Sequence, residues 1–312
     1  MNKTAYSIQK TFFALGTVCT LTVFDGEMTN ALDRAKARVM EIHNAMNAYD
    51  PNSEVSAINQ NAGIGYVKVT YPTLRLIEAS VACSEMTGGA YDITTRPLSD
   101  LWKTAIRLQS LPLAYSIDQA RALTGYKDVL IDHAHSAVML RRRGQQLDLG
   151  AIAKGYAADE VRRIFLDENV AQAIINLGGT VYNMGRSRRV GIRNPFGNTG
   201  DCFSYINVDE KAVVSSGVYE QGFEKDGVTY HHIIDPKTGY PSDSALAGVT
   251  LVGDNAAELD ALATAVCVMP LPKAIALLRE LHIEAIFVTK EHQVFTTQGI
   301  NCHMNPERSA TA

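Results

Sequence analysis

Apolar residues recur three and four positions apart between Met28 and Ala48, at Leu32, Ala35, Val39, Ile42 and Met46, a spacing that predicts an amphipathic helix with that stripe in the core. Tyr49-Asp50-Pro51-Asn52-Ser53 ends it, because proline cannot continue a helix and Asn and Ser favour turns. Before it, Phe12 to Phe24 alternates as a β-strand does. A second helix is predicted from Thr73 to Met86, with Leu74, Ile77 and Val81 inward, stopping at Gly88-Gly89. From Lys127 to Leu149 the runs VLID, AVML and QLDL predict a hairpin, followed by a helix from about Ala151 to Asn169. Short strand-like runs then dominate: QAIINL, RRVGIRN, YINV, AVVSS, VTYHHII and AGVTLV. Helices near Ala256 to Met269 and Pro272 to Leu281 and the strand AIFVT complete the pattern, which implies an α+β fold with a mixed, mostly antiparallel sheet flanked by helices.

Composition narrows the class. The 312 residues are 46% hydrophobic and 20% charged, which excludes a disordered or fibrous chain. No internal repeat or low-complexity linker divides them, so residues 1–304 are expected to form one domain and 305–312 a loose tail. Net charge is −4, and the one dense basic run, Arg141 to Arg143, reads as a solvated hairpin tip. No long basic face is present, so nucleic acid is not an expected partner. No segment is long enough to span a bilayer. The cysteines Cys19, Cys83, Cys202, Cys267 and Cys302 are dispersed, which suggests reduced thiols. The apolar stretch Thr11 to Phe24 is interrupted by Thr17, Thr20 and Thr22 and reads as strand rather than signal peptide.

Four stretches could carry chemistry. In LDLGAIAKGYAADE, Leu147 to Glu160, a glycine turn after Asp148 leads into a helix carrying Lys154, so backbone N–H groups, a carboxylate and an ammonium meet at a helix start, where anions bind. The plainer reading is an ordinary strand-to-helix turn; the spacing fits neither a Walker loop nor a dinucleotide fingerprint. Asn176-Leu177-Gly178-Gly179-Thr180 allows positive φ or close approach to a ligand, or is simply a tight turn. In HHIIDPKTG, His231 and His232 alternate faces; His232 at a pocket edge could accept a hydroxyl proton, while Asp235 either shares that role or only opens the turn. Asp260 and Thr264 lie four apart on one helix face in ELDALATAV, and their oxygens would suit Mg²⁺ or Mn²⁺, or merely a hydrogen-bonded pair.

Taken in order, ALGT, MNAYDPNSEVSAIN, TGGAYDITTRPLSDLW, LDLGAIAKGYAAD, INLGGTVYNMG, SSGVYE, HHIIDPKTGYP and ELDALATAV resemble the ApbE family of FAD:protein FMN transferases over about Phe12 to Gly299. The resemblance implies two lobes enclosing a flavin-binding cleft. It implies FAD contacts from Leu15, Tyr49, Ala90, Tyr91, Asp92, Asp148, Lys154 and Ile234. Magnesium is implied at Asp260 and Thr264, with Ala151 contributing its carbonyl. Ala151 and Ala263 stand where some members carry an oxygen-bearing side chain, and Leu15 where methionine is common, a change that keeps apolar volume. The implied reaction moves FMN from FAD to a Thr or Ser hydroxyl of an acceptor flavoprotein and releases AMP. An FAD pyrophosphatase giving FMN and AMP, and a non-catalytic FAD-binding protein, are the alternatives. Many members are exported lipoproteins; here the ALGT strand begins about a dozen residues from Met1, which points to a cytoplasmic member.

Overall fold

A computed structural model describes residues 7–24, 28–198, 200–219 and 221–300, with the backbone of 303–304; the expected tail and Cys302 lie outside the described residues. The chain opens with β1 (Ile8–Ala14) and β2 (Thr17–Val23). The single strand expected over Phe12 to Phe24 is therefore the centre of a hairpin. Leu15 and Gly16 turn it with φ of 53° and 75°, the pair of positive values that matches strand twist in a two-residue connection. Next come α1 (Thr29–Met46), α2 (Glu54–Gln60), β3 (Val67–Lys68), α3 (Tyr71–Met86), α4 (Arg96–Leu108) and α5 (Ala114–Ala122). The stripe foreseen on α1 is buried, as is Trp102 on α4.

β4 (Val129–Asp132) and β5 (Ala137–Leu140) pair as expected, but QLDL adds no strand: only Gln146 makes an isolated bridge, to Thr95. Leu147 instead exchanges its backbone groups with the Asn59 side chain at 2.6 and 3.0 Å, which replaces the strand ladder. Nor is the basic run wholly solvated. Arg142 pairs with Asp128 at 2.6 Å and donates to the Ala122 carbonyl, while Arg141 and Arg143 are exposed.

α6 (Ala153–Asp167), β6 (Ala173–Leu177), β7 (Thr180–Met184), β8 (Arg188–Arg193), β9 (Cys202–Val208) and β10 (Ala212–Gly217) follow. A small ribbon of β11 (Gly222–Lys225) and β12 (Val228–His231) precedes β13 (Leu246–Gly253), α7 (Ala256–Val266), α8 (Leu271–Glu280), β14 (Glu284–Thr289), β15 (Val294–Thr296) and β16 (His303–Met304). The main sheet has eight strands in the order β1-β2-β6-β7-β10-β13-β14-β15, antiparallel at every pairing. Its central strands are apolar on both faces: Ala212 and Val214 of β10 face the main core, and Val213 faces a second cluster with Ile192, Ile206 and Ile286. Helices α1, α6 and α7 therefore cover one face and the sheet β16-β9-β8 the other. Burying each such Val, Leu or Ile contributes about 1.5–3 kcal/mol. A third cluster, Leu98, Trp102, Ala105, Ile117, Phe223 and Ile234, joins α4 and α5 to the ribbon, forming a second, smaller lobe.

Candidate active site

A cavity of about 320 Å³ lies between the two lobes. From the larger lobe it takes residues 90–92, the start of α6, one face of α7, Gly179 and the end of β10; from the smaller it takes α4 and the segment after β12.

Its floor is built where α6 crosses α7. Gly155 lies so close to α7 that an added Cβ would sit 2.0 Å from the Ala256 carbonyl oxygen, so only glycine permits this approach. The closeness lets the Gly155 N–H donate to Asp260 Oδ2 at 3.0 Å, and Lys154 Nζ pairs with Asp260 Oδ1 at 3.1 Å. Asp260 is 5% exposed, a burial that a carboxylate tolerates only with such partners. Lys154 also donates to the Gly150 carbonyl at 3.1 Å, and Gly150 N–H donates to Asp148 Oδ1 at 2.8 Å. The crossing is fixed from α6 by Asp159, whose oxygens accept from Ala256 N and Ala257 N at 3.0 and 2.9 Å and so cap α7. Burial raises the Asp159 carboxyl to about 6 despite those bonds.

The side walls differ in purpose. Asp92 is buried and ties its own loop to the start of a distant segment: it accepts from Thr94 N at 2.8 Å and Thr94 Oγ1 at 2.6 Å, and from Tyr126 N at 2.9 Å. Burial outweighs those bonds and raises its carboxyl above the usual range. Tyr91 beside it is wholly buried, which pushes its phenol well up. Across the cavity, the His232 backbone N–H donates to the Gln221 carbonyl at 3.1 Å and its Nδ1 lies 3.4 Å from that oxygen. A carbonyl only accepts, so Nδ1 can bond it only in the tautomer that carries the ring proton there. His231, one residue back, is buried against the Ser242 carbonyl at 3.0 Å, and burial lowers it to about 4.

Most residues singled out in the sequence converge here: Ala90, Tyr91, Asp92, Asp148, Ala151, Lys154, His232, Ile234, Asp260 and Thr264 all line the cavity. Three do not. Leu15 lines an adjoining groove of about 500 Å³ that shares Lys154, Gly179, Ser215 and Gln221 with the cavity. Tyr49 stands at the rim, its hydroxyl 3.0 Å from Asp100 and 3.5 Å from Asp148. Asp235 closes the Pro-x-x-Gly turn by accepting from Lys237 N at 2.9 Å, and its carboxylate is absent from the cavity wall. That turn is pinned by Trp102, whose indole N–H donates to the Gly239 carbonyl at 2.8 Å. Sequence reading missed Thr95, Ser99 and Lys103, and Ser215, Ser216 and Gln221, all in the lining. The first three had a signal, a polar residue every fourth position along the edge of the apolar stripe Leu98, Trp102 and Ala105.

Among the described residues no three His, Cys, Asp or Glu side chains converge as a metal cluster. The cavity nonetheless offers one poorly exposed carboxylate already joined to a cation, the Asp260–Lys154 pair, with the Thr264 hydroxyl and the Ala151 backbone in the same lining. Such an all-oxygen set fits Mg²⁺, which keeps several waters and needs one or two carboxylates plus substrate phosphates.

An α+β scaffold whose helix start holds an ion-paired carboxylate in an interlobe cleft defines a two-lobed protein with a polar cavity at the lobe junction. The ApbE family model matches residues 15–287. An FAD:protein FMN transferase of Klebsiella pneumoniae (strain 342) is 36% identical, covering 81% of this chain and 80% of the relative. A second, from Treponema pallidum (strain Nichols), is 31% identical, covering 92% and 85%. The crystal structure of the ApbE protein from Thermotoga maritima superposes with a TM-score of 0.85 at 31% identity over 94% of this chain and 98% of that one. The chain belongs to the ApbE family.

Proposed function

We propose that the chain is an FAD:protein FMN transferase that acts with Mg²⁺, or Mn²⁺ in its place, on an acceptor flavoprotein carrying a target Thr or Ser. The observation that carries this reading is the Lys154–Asp260 pair at 3.1 Å, set in one cavity with Thr264 and Ala151 by the α6–α7 crossing. The named activity of the relatives supports it.

FAD enters the cleft with its diphosphate toward the start of α6, where the helix end and Lys154 favour negative charge. Asp260, Thr264 and the Ala151 carbonyl would hold the metal, which when bound neutralises charge on the phosphoryl oxygens. The acceptor hydroxyl forms a bond to the riboflavin-side phosphorus while the bond from that phosphorus to the bridging oxygen breaks. AMP leaves with the bridging oxygen. His232 Nε2 takes the hydroxyl proton, its ring held by the Gln221 carbonyl. Asp235 keeps the turn after His232 closed, and Asp92 holds the opposite wall. Positioning and charge stabilisation account for most of the acceleration in phosphoryl transfer, which suits a site rich in fixed hydrogen bonds. No helix of the described residues is long and apolar enough to cross a membrane. The unpaired thiols of Cys19, Cys83, Cys202 and Cys267 support a cytoplasmic setting.

The test is AMP release from FAD with Mg²⁺ and an acceptor, followed by in-gel flavin fluorescence. Wild type gives AMP and a fluorescent acceptor; Asp260→Ala gives neither, with a loss of at least about a hundredfold. Undiminished AMP release by the variant would overturn the assignment of Asp260. Free FMN without a labelled acceptor would identify a pyrophosphatase, and FAD binding with no AMP under any metal a plain flavin binder.

A further inference from the structure

The cavity lining carries three carboxylates, Asp92, Asp148 and Asp260, against two ammoniums, Lys154 and Lys103. Lys154 is held in place by Asp260, at 3.1 and 3.2 Å, and by the Gly150 carbonyl. Lys103 is placed differently. It is the third member of the polar stripe Thr95, Ser99 and Lys103, which α4 turns toward the cavity at intervals of four. Its side chain is 45% exposed, and its one ionic contact among the described residues, to Asp148 Oδ2, stands at 4.0 Å. Asp148 is drawn elsewhere, accepting from Gly150 N at 2.8 Å and from the Tyr49 hydroxyl at 3.5 Å. Lys103 otherwise donates to the Tyr49 hydroxyl and lies 4.6 Å from the centre of that ring. The other cation beside that ring, Arg96, is anchored by Asp100 and the Ala48 carbonyl, so of the two Lys103 is the one able to swing.

We propose that Lys103 is a second diphosphate-binding cation of this site, turning from Tyr49 and Asp148 onto a phosphoryl oxygen of the bound dinucleotide. The proposal rests on the reading of the ligand as FAD and adds the residue that discriminates diphosphate-bearing ligands from their neutral fragments. Its chemistry is that of a flexible ammonium, which meets phosphate as a point charge. The row from Lys103 through Asp148 and Gly150 to Lys154 and Asp260 then becomes one continuous diphosphate cradle, with mobile charge at the rim and fixed charge at the floor.

Equilibrium binding to the full chain with Mg²⁺ tests it, using FAD, ADP, riboflavin and adenosine as probes against Lys103→Met and Lys103→Arg. Lys103→Met weakens FAD and ADP about tenfold, leaves riboflavin and adenosine unchanged, and flattens the salt dependence of ADP binding; Lys103→Arg keeps most of the affinity. Unchanged ADP affinity in Lys103→Met overturns the proposal. So does an equal loss for riboflavin, which would mean that Lys103 acts only through the Tyr49 ring. Loss of the transferase reading looks different: FAD and ADP then bind and respond to Lys103, yet no AMP appears. A wild-type chain that bound neither FAD nor ADP would refute both.

Discussion

Replacing Gly155 by alanine sets two effects against each other. In an exposed helix interior the change stabilises by up to about 1 kcal/mol, since glycine loses the most backbone freedom on folding. At Gly155 the new methyl would lie 2.0 Å from the Ala256 oxygen and 2.7 Å from Ala257 Cα. Both are backbone atoms of α7, so no side chain can rotate aside. The helices must part by more than about an ångström to reach van der Waals contact, which breaks the 3.0 Å bond from Gly155 N to Asp260. Overpacking costs about 1–3 kcal/mol and a lost hydrogen bond to a charged group about 1.5–3, so the net is a destabilisation of about 1.5–5 kcal/mol after the helix gain of about 1. Gly155→Ala should therefore lower the urea midpoint and drop Tm by on the order of 5 °C. Mg²⁺-dependent AMP release should fall further than stability accounts for, because Asp260 leaves its place. Gly65→Ala is the control: nothing lies within 4 Å of its added Cβ, so stability should change by no more than about 0.5 kcal/mol. A Gly155→Ala protein as stable and as active as wild type would refute the claim that this crossing sets the site.

Two further outcomes follow from buried ionisable groups. Asp159→Ala leaves the N–H groups of Ala256 and Ala257 without their acceptor and should cost about 1–2 kcal/mol in urea unfolding at pH 7, moving Asp260 with the start of α7. The histidine beneath the site gives a pH signature: His231 falls from an ordinary 6.5 to about 4 in the fold, so its stability contribution is present above pH 6.5 and lost as pH falls toward 4. His231→Gln should make the stability profile between those values shallower; an unchanged slope would show that His231 does not titrate there.

Legibility in the sequence tracked how local the determining physics is. The stripe of α1 and the runs of β10 and β13 were plain, because period and burial coincide along consecutive residues. Most of the cavity residues were legible too, as ordered motifs rather than as geometry. The hairpin at Leu15-Gly16 was not, since a leucine at positive φ hides the turn inside an unbroken β-like run. QLDL alternates as a strand does, but its partner is the side chain of Asn59, 88 residues earlier. Asp159 stood in the quoted motif without a role, because capping a helix that begins almost a hundred residues later depends wholly on the α6–α7 crossing. For Asp235 the sequence offers two readings, sharing the proton or opening the turn, and the turn role is the one with a local bond, from Lys237 N.

Among the described residues the ribbon of β11 and β12 pairs with no strand of the main sheet; it is fastened to α4 by Tyr230 stacked on Trp102 at 5.7 Å and by Phe223 stacked on Tyr230. Its base delivers Gln221 and His232 to the cleft, whereas its tip, Asp226 and Gly227, points its positive-φ turn away from them along the strands. A fluorophore or short peptide grafted at that tip would thus ride on the same rigid lever as the histidine, giving a handle for following ligand arrival without altering any group inside the cleft.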